Sequence, residues 1–112
     1  MKATMLNVLL SGVIAASSTA VLARGDAAAG QAKAKQVCAA CHVENGDKPL
    51  QPEYPVLAGQ HADYLAKALK DYKSGVRKNA IMGAQMQTLT VKDISDVAAW
   101  FSSRPGPLQV KR

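Results

Sequence analysis

The sequence feature that most constrains the fold is the pentapeptide Cys38-Ala39-Ala40-Cys41-His42. These are the only two cysteines in the chain, and a histidine directly follows the second one. On one helical turn, two thiols at this spacing can each bond to one vinyl group of a porphyrin, and the adjacent imidazole can ligate the iron. The pattern therefore predicts one covalently bound haem c per chain, held by Cys38 and Cys41, with His42 as an axial iron ligand.

Three other uses of two closely spaced cysteines compete with haem attachment. A thioredoxin-like redox pair needs a βαβ context, and this sequence shows almost no strand signal. A structural zinc site needs four ligands, and only Cys38, Cys41, His42 and His61 are available, without a second close-spaced pair. A disulfide between Cys38 and Cys41 is the plainest interpretation for an exported protein, but so short a loop adds little stability.

The N-terminal segment has the three regions of an export signal. Lys2 supplies a weakly charged start, residues 5–16 are largely apolar, and Val21-Leu22-Ala23 places small residues before a cleavage site. The apolar run is short for a membrane span, which needs about 20 residues. We therefore expect residues 1–23 to be a cleaved signal peptide, and the mature form to be periplasmic without stable membrane insertion. Covalent c-type haem is assembled in that same compartment.

The mature chain would be a single small domain spanning residues 24–112, with a loose tail from about residue 105. At this size an apolar core alone is marginally stable. Only 4% of the residues are aromatic. These features suit a core of aliphatic side chains that surrounds an apolar cofactor.

The net charge of the chain indicates what kind of partner it binds. Without Lys2, 13 Lys and Arg face 8 Asp and Glu, which leaves a net charge of about +5 before haem propionates are counted. This predicts redox partners with acidic docking surfaces. Nucleic acid is a poor alternative, because an exported protein meets little of it and no recognised nucleic-acid motif is present.

Periodicity and capping predict three main helices and an all-α fold. The first covers residues 26–40 and runs into the cysteine motif, the second runs from residue 60 or 61 to 73, and the third covers residues 90–103. Thr90 and Asp93 have the spacing of a capping box at the start of the third helix. Residues 43–59 are predicted as loop, and residues 76–89 as mostly loop with at most one short helical turn.

Several motifs then occur in an order typical of one family. They are Gly30, the haem motif, Pro55-Val56-Leu57-Ala58-Gly59-Gln60, Tyr64-Leu65, Gly75-Val76-Arg77, a methionine segment, and Asp96-Val97-Ala98-Ala99-Trp100-Phe101. In these features the chain resembles the class I cytochromes c. More narrowly, it is similar to small bacterial monohaem cytochromes whose domain also occurs in tandem in dihaem proteins. The resemblance implies the cytochrome c fold, with three main helices and loops wrapped around one haem.

The resemblance also implies a methionine sulfur as the sixth iron ligand. Met82 lies seven residues before Leu89, which matches the family spacing, and Met86 is the second candidate. The usual role of methionine, filling a gap in a core, is the alternative for either residue.

Weaker implications concern the surroundings of the haem. Pro55 resembles the proline whose carbonyl accepts the N–H of the proximal histidine, and Leu57 would pack on the haem face. Arg77 would either neutralise a haem propionate or lie in solvent. Gly30 and Trp100 resemble the family's close contact between the first and last helices.

The implied function is one-electron transfer by a carrier that is not an enzyme, with a monomer favoured. The exposed haem edge would be ringed by some of Lys33, Lys35, Lys48, Lys78 and Lys92. Two other functions remain open: a haem subunit of a larger periplasmic oxidoreductase, and a gas-binding or catalytic haem protein with an open sixth site.

Overall fold

The computed structural model describes residues 24–109, which fold into five helices joined by loops, with no strand among them. The helices are α1 (Ala27–Val37), α2 (Ala39–His42), α3 (Ala62–Ser74), α4 (Ala80–Gln87) and α5 (Val91–Ser102). The all-α prediction is confirmed. The first predicted helix is interrupted at Cys38, which separates α1 from the short α2.

Side chains in the sequence determine where the helices begin and end. The Asp26 carboxylate accepts hydrogen bonds from the N–H groups of Ala28 and Ala29 and so begins α1. Thr90 and Asp93 form the predicted capping box at the start of α5. Gly75 ends α3 in the left-handed conformation, with a φ of 82°, which glycine adopts without steric cost.

Helices α1 and α5 are in close contact at Gly30. A Cβ atom built on Gly30 would lie 1.9 Å from the Asp96 carbonyl oxygen and 3.0 Å from Trp100 Cβ. The backbones can therefore approach only because this position has no side chain. The predicted contact between Gly30 and Trp100 is confirmed.

Polar contacts fasten α5 to the start of α1 and to the loop behind the cysteine motif. The N–H of Asp26 donates to Asp96 Oδ1 at 2.7 Å, and Lys92 Nζ donates to the other oxygen of Asp96. Trp100 Nε1 donates to the Glu44 carbonyl at 2.8 Å, which attaches the loop behind the cysteine motif to α5. Because Asp96 is only 4% exposed, its charge depends on these partners.

The core consists of two apolar clusters that share Ala66 and Leu69 of α3 at their edges. The first is built from Ala34, Leu65, Val97, Ala98, Trp100 and Phe101, with Cys38 and Leu57 packed against it. The second is built from Met86, Leu89 and Ile94, with Val37, Tyr72 and Met82 at its edge. Helix α3 therefore joins the side of the core near the cysteine motif to the side near the methionines.

The prediction for residues 76–89 was wrong in one respect. The segment contains an eight-residue helix, α4, rather than a loop with one short turn. Asn79 begins α4 by accepting hydrogen bonds from the N–H groups of Ile81 and Met82, at 3.1 and 3.0 Å. Met86 is the only buried side chain of α4, so the helix shows little apolar periodicity. Contacts with α3 stabilise the helix instead.

Beyond α5 the chain turns back onto the loop before α3. A Cβ atom built on Gly106 would lie 2.7 Å from Ala58 Cβ, and one built on Gly59 would lie 2.8 Å from the Gln109 backbone nitrogen. The predicted signal peptide, residues 1–23, and the last three residues lie outside the described residues. Within residues 24–109, no helix is long and apolar enough to span a membrane.

Candidate functional site

The cysteine motif lies at the junction of α1 and α2. The N–H of Cys38 makes the last hydrogen bond of α1, to the Ala34 carbonyl. The Cys38 carbonyl accepts from the N–H groups of Cys41 and His42, at 3.2 and 2.9 Å. Both cysteines and the histidine therefore belong to one helical turn, as their spacing predicts. The second thiol and the imidazole are positioned by the same carbonyl group.

Both thiols are free, and each is partly exposed. Cys38 packs against the first core cluster, next to Leu57 and α3. Burial raises the pKa of the Cys38 thiol to about 11, so this group is a neutral thiol at neutral pH. The apolar surroundings of Cys38 suit a thiol that is attached to an apolar group.

His42 is buried, at 6% exposure, and its orientation is fixed by one hydrogen bond. Its Nδ1 lies 3.0 Å from the Pro55 carbonyl oxygen. A carbonyl can only accept, so Nδ1 carries the proton and Nε2 keeps the lone pair that a metal would use. Burial lowers the pKa of His42, although the hydrogen bond to Pro55 opposes this, and the ring therefore favours its neutral, metal-binding form.

Two neighbours of His42 were not predicted. The ring of Tyr54 lies 6.1 Å from the imidazole, tilted by 53°. Its signal in the sequence was its position directly before Pro55. Val43, directly after His42, has a φ of 57° and is the only non-glycine residue with a positive φ in residues 24–109. Nothing in the sequence marks Val43 for this conformation, which glycine usually adopts.

The two methionines of α4 differ in burial. Met86 is 1% exposed and is one of the largest fully buried side chains, at the centre of the second core cluster. Met82 is partly exposed and lies at the edge of that cluster. Val37, the residue before Cys38, packs against the same cluster. The segment leading into the cysteine motif and the methionine helix thus adjoin one part of the core.

The weaker site predictions fall in different places. Pro55 and Leu57 lie beside the motif, Pro55 through its hydrogen bond with His42 and Leu57 through the core cluster that includes Cys38 at its edge. Arg77 is exposed, with its guanidinium 4.8 Å from the centre of the Tyr72 ring. That contact orients Arg77 by a cation–π interaction and leaves its charge in solvent.

The five lysines predicted around a docking edge divide into two groups. Lys33, Lys35 and Lys92 are paired with Asp93, Glu44 and Asp96 respectively. Lys48 and Lys78 are exposed, and neither forms an ion pair within residues 24–109. The pairing reduces the positive potential along α1 and α5, so among these five lysines the uncompensated charge lies on the loops.

These donors fit a covalently attached haem better than a bare metal ion. The pair of thiols and the oriented imidazole share one turn, and an apolar core lies beside them. In residues 24–109, no three His, Cys, Asp or Glu side chains converge as a metal-binding group. The zinc site considered from the sequence therefore has no ligand set here.

This fold and this site define a class I c-type cytochrome. The family model described as cytochrome c matches residues 27–105, and the chain belongs to that family. Membership implies covalently attached haem c, and the chain contains Cys38, Cys41 and His42 in the arrangement that such attachment uses.

Several relatives extend the comparison. The chain is 48% identical over 82 residues to a cytochrome c4 of Pseudomonas aeruginosa, covering 73% of this chain and 40% of the relative. It is 46% identical over 83 residues to cytochrome c-554(548) of Halomonas halodenitrificans, covering 71% and 98% respectively. A protein of Stutzerimonas stutzeri named thiosulfate dehydrogenase electron acceptor is 35% identical over 74 residues, covering 66% and 34%.

A solved structure shows the same fold. The reduced recombinant cytochrome c4 from Pseudomonas stutzeri superimposes with a TM-score of 0.68 at 42% identity, covering 73% of this chain and 47% of that one. The chain spans about two fifths of the length of the cytochrome c4 proteins that it matches. It therefore corresponds to one domain of those longer relatives.

Proposed function

We propose that the protein is a periplasmic one-electron carrier with one haem c, attached through Cys38 and Cys41 and ligated by His42 and Met82. The observation that carries this proposal is the burial of His42 and the hydrogen bond that orients its ring. The ring is buried directly behind two free thiols, and its Nδ1–H is bound to Pro55. Only Nε2 is left for a metal, in a ring whose orientation is already fixed.

When bound, the haem supplies an iron that changes between the ferrous and ferric states. The protein's own contribution is to keep the iron's surroundings unchanged between those states. The hydrogen bond between His42 and Pro55 holds the ring, and the contact between Trp100 and Glu44 holds the loop behind it. A ligand that does not move keeps reorganisation small, which suits electron transfer.

Burial supports Met82 as the sixth ligand. Met86 is fully buried in the second core cluster, where it makes the gap-filling contacts typical of methionine. Met82 lies one turn earlier, at the edge of the same cluster. Using Met86 as the ligand would remove its side chain from the core, whereas using Met82 would not.

A histidine and methionine pair leaves no open position on the iron. This supports a carrier and gives no place for a substrate, so we assign no enzymatic activity to the chain. The relative named as an electron acceptor supports the same role, because its name describes a protein that takes electrons from an enzyme. We expect partners with acidic surfaces, docked near Lys48 and Lys78, whose charges are not paired within the described residues.

The first experiment is expression with export and the haem-attachment machinery, followed by mass and absorption measurements. We expect covalent haem in the purified protein, N-terminal cleavage after Ala23, and, in the oxidised form, the weak far-red band of a methionine–iron bond. Absence of that band, together with rapid carbon monoxide binding by the reduced protein, would contradict the carrier function and favour an open sixth site. Constant copurification with a dehydrogenase would instead favour the subunit alternative.

Replacing each methionine separately identifies the ligand. We expect Met82→Leu to abolish the far-red band and to destabilise the holoprotein, because the folded state loses its methionine–iron bond. Met86→Leu should keep the band, because leucine fills a similar volume at a cost below about 1.5 kcal/mol. The opposite pattern would assign the iron to Met86.

A further inference from the structure

Helix α4 carries both candidate methionines and is held at each end by a side chain from outside the helix. At its start, Asn79 accepts hydrogen bonds from the N–H groups of Ile81 and Met82. At its end, the last carbonyl groups have no N–H partner within the helix itself, and the Met86 carbonyl accepts from the N–H of Leu89, beyond the helix, at 3.2 Å. The side chain that reaches these carbonyls comes from α3.

That side chain is Lys73. Its Nζ donates to the Met86 carbonyl at 3.0 Å and to the Leu89 carbonyl at 2.6 Å. In return, Gln87 Nε2 donates to the Lys73 carbonyl at 2.9 Å. The ends of α3 and α4 are therefore joined by hydrogen bonds in both directions, an arrangement that we call the Lys73–Gln87 clasp.

Physical chemistry favours a lysine at this position. A positive charge near a helix C-terminus is stabilised by the helix dipole and by hydrogen bonds to the last carbonyls. Hydrogen bonds from a charged donor are also stronger than those between neutral groups. Lys73 is partly buried, so its stem lies along the protein while its ammonium group reaches the carbonyls. Lys70, three residues earlier on α3, is exposed and makes no such contact among the described residues.

The clasp determines where Met82 lies. Met82 and Met86 are four residues apart on α4, so they share one face of the helix. The clasp holds the Met86 carbonyl while the core holds the Met86 side chain. A methionine side chain is itself flexible. The position of the Met82 sulfur therefore depends on how firmly its helix is fixed.

We infer that Lys73 is a positioning residue for the sixth iron ligand: it anchors α4 and so keeps Met82 available to the iron. This inference rests on the proposed ligation by His42 and Met82. Neither the cysteine motif nor the methionine spacing contains Lys73. It acts through backbone carbonyls, without touching the iron or the haem.

The experiment measures how easily an added ligand displaces the methionine. Free imidazole is titrated into the oxidised holoprotein, since its nitrogen binds haem iron as histidine does. Lys73→Met removes the ammonium group and keeps the stem, and we expect it to bind imidazole about tenfold more tightly, the effect of losing a charge-assisted hydrogen bond. Lys73→Arg keeps a donor for the carbonyls and should restore wild-type affinity. The matched control, Lys70→Met, removes the same charge from the same helix and should also match the wild type.

The absorption spectrum of the wild type tests methionine ligation separately from the role of Lys73. A wild-type protein without the far-red band would contradict the methionine ligation itself. A wild type with the band, and a Lys73→Met variant with unchanged imidazole affinity, would overturn the role of Lys73 alone. An equal change in Lys70→Met would also overturn it, because the effect would then be one of net charge.

A second variant and a second measurement cover the case in which Lys73→Met does not fold. Gln87→Ala removes the returning arm of the clasp, together with a 3.4 Å contact of the same amide with the Gly83 carbonyl. We expect it to shift imidazole affinity in the same direction by a smaller factor. Amide hydrogen exchange should become faster across α4 in either variant and stay unchanged in α5. Unchanged exchange and unchanged affinity in Gln87→Ala would count against the inference.

Discussion

At the scale of single residues, most features of the site could be predicted from the sequence, and one backbone angle could not. The thiols, His42 and Pro55 were predictable because each has a chemical role tied to its type and spacing. Val43 was not, because its unusual feature is a backbone angle. A φ of 57° with a ψ of 165° places this β-branched residue where glycine would be expected, directly behind the proposed iron ligand.

This strained angle predicts an asymmetry between two loop valines. Val43→Gly should release strain of about 1–3 kcal/mol, which offsets the lost side-chain contacts and the greater freedom of the unfolded chain. Val56→Gly has no positive φ to relieve and should only destabilise. We expect the two variants to differ by about 2 kcal/mol in free energy of unfolding, with Val43→Gly the more stable. Equal losses in denaturant titrations of the two holoproteins would show that the Val43 backbone stores no strain.

At the scale of elements, the three long helices were predictable and the fourth was not. The starts of α1 and α5 have capping residues, and α3 and α5 have apolar stripes, so local sequence suffices for them. Helix α4 has an Asn cap but no apolar stripe. Its stability comes from contacts with α3. Those contacts involve residues far apart in the sequence, such as Lys73 and Met86, and no local pattern reveals them.

The contact between α1 and α5 gives a prediction with an internal control. Gly30→Ala places a methyl group 1.9 Å from the Asp96 carbonyl, so the helices must separate. We expect a loss of about 2 kcal/mol, typical of overpacking. Gly83→Ala is also a helical substitution, but its nearest non-local atom is the Tyr72 carbonyl oxygen at 3.6 Å, an ordinary contact. It should gain about 0.5–1 kcal/mol from the higher helix propensity of alanine. Denaturant midpoints of the two holoproteins test this, and a shift of the same sign in both would contradict it.

At the scale of the whole molecule, charges serve stability more than the sequence alone suggests. Three of the five lysines expected at a docking surface are paired with carboxylates, and two of these carboxylates, Asp93 and Asp96, cap or join helices. Asp96 is the most deeply placed of these carboxylates and connects the start of α1 to α5. Net charge was readable from composition, but its distribution depends on which residues the fold brings together.

Asp96 also makes stability depend on pH. Burial acts to raise the pKa of Asp96, but the hydrogen bonds from Lys92 and from the N–H of Asp26 outweigh it, so the pKa lies below its usual value. A carboxylate whose pKa is lowered by folding contributes stability above its unfolded pKa of about 4, and this contribution is lost as the pH falls through the folded value. The charged form of Asp96 should therefore stabilise the protein at neutral pH and cease to do so in acid.

Asp96→Asn tests this pH dependence in the holoprotein. The asparagine oxygen can still accept from Asp26, but the side chain can no longer be a charged acceptor for Lys92. We expect a loss of about 1.5–3 kcal/mol at pH 7. The difference from the wild type should shrink below about pH 4, where the Asp96 carboxyl of the unfolded chain takes up a proton before that of the folded protein does. Thermal unfolding followed from pH 7 to pH 3 measures that difference, and other acidic groups cancel because both proteins contain them. Lys92→Met removes the other half of the same ion pair, and its difference from the wild type should also shrink in acid. A difference between Asp96→Asn and the wild type that stays constant over this range would mean that Asp96 acts by shape and not by charge.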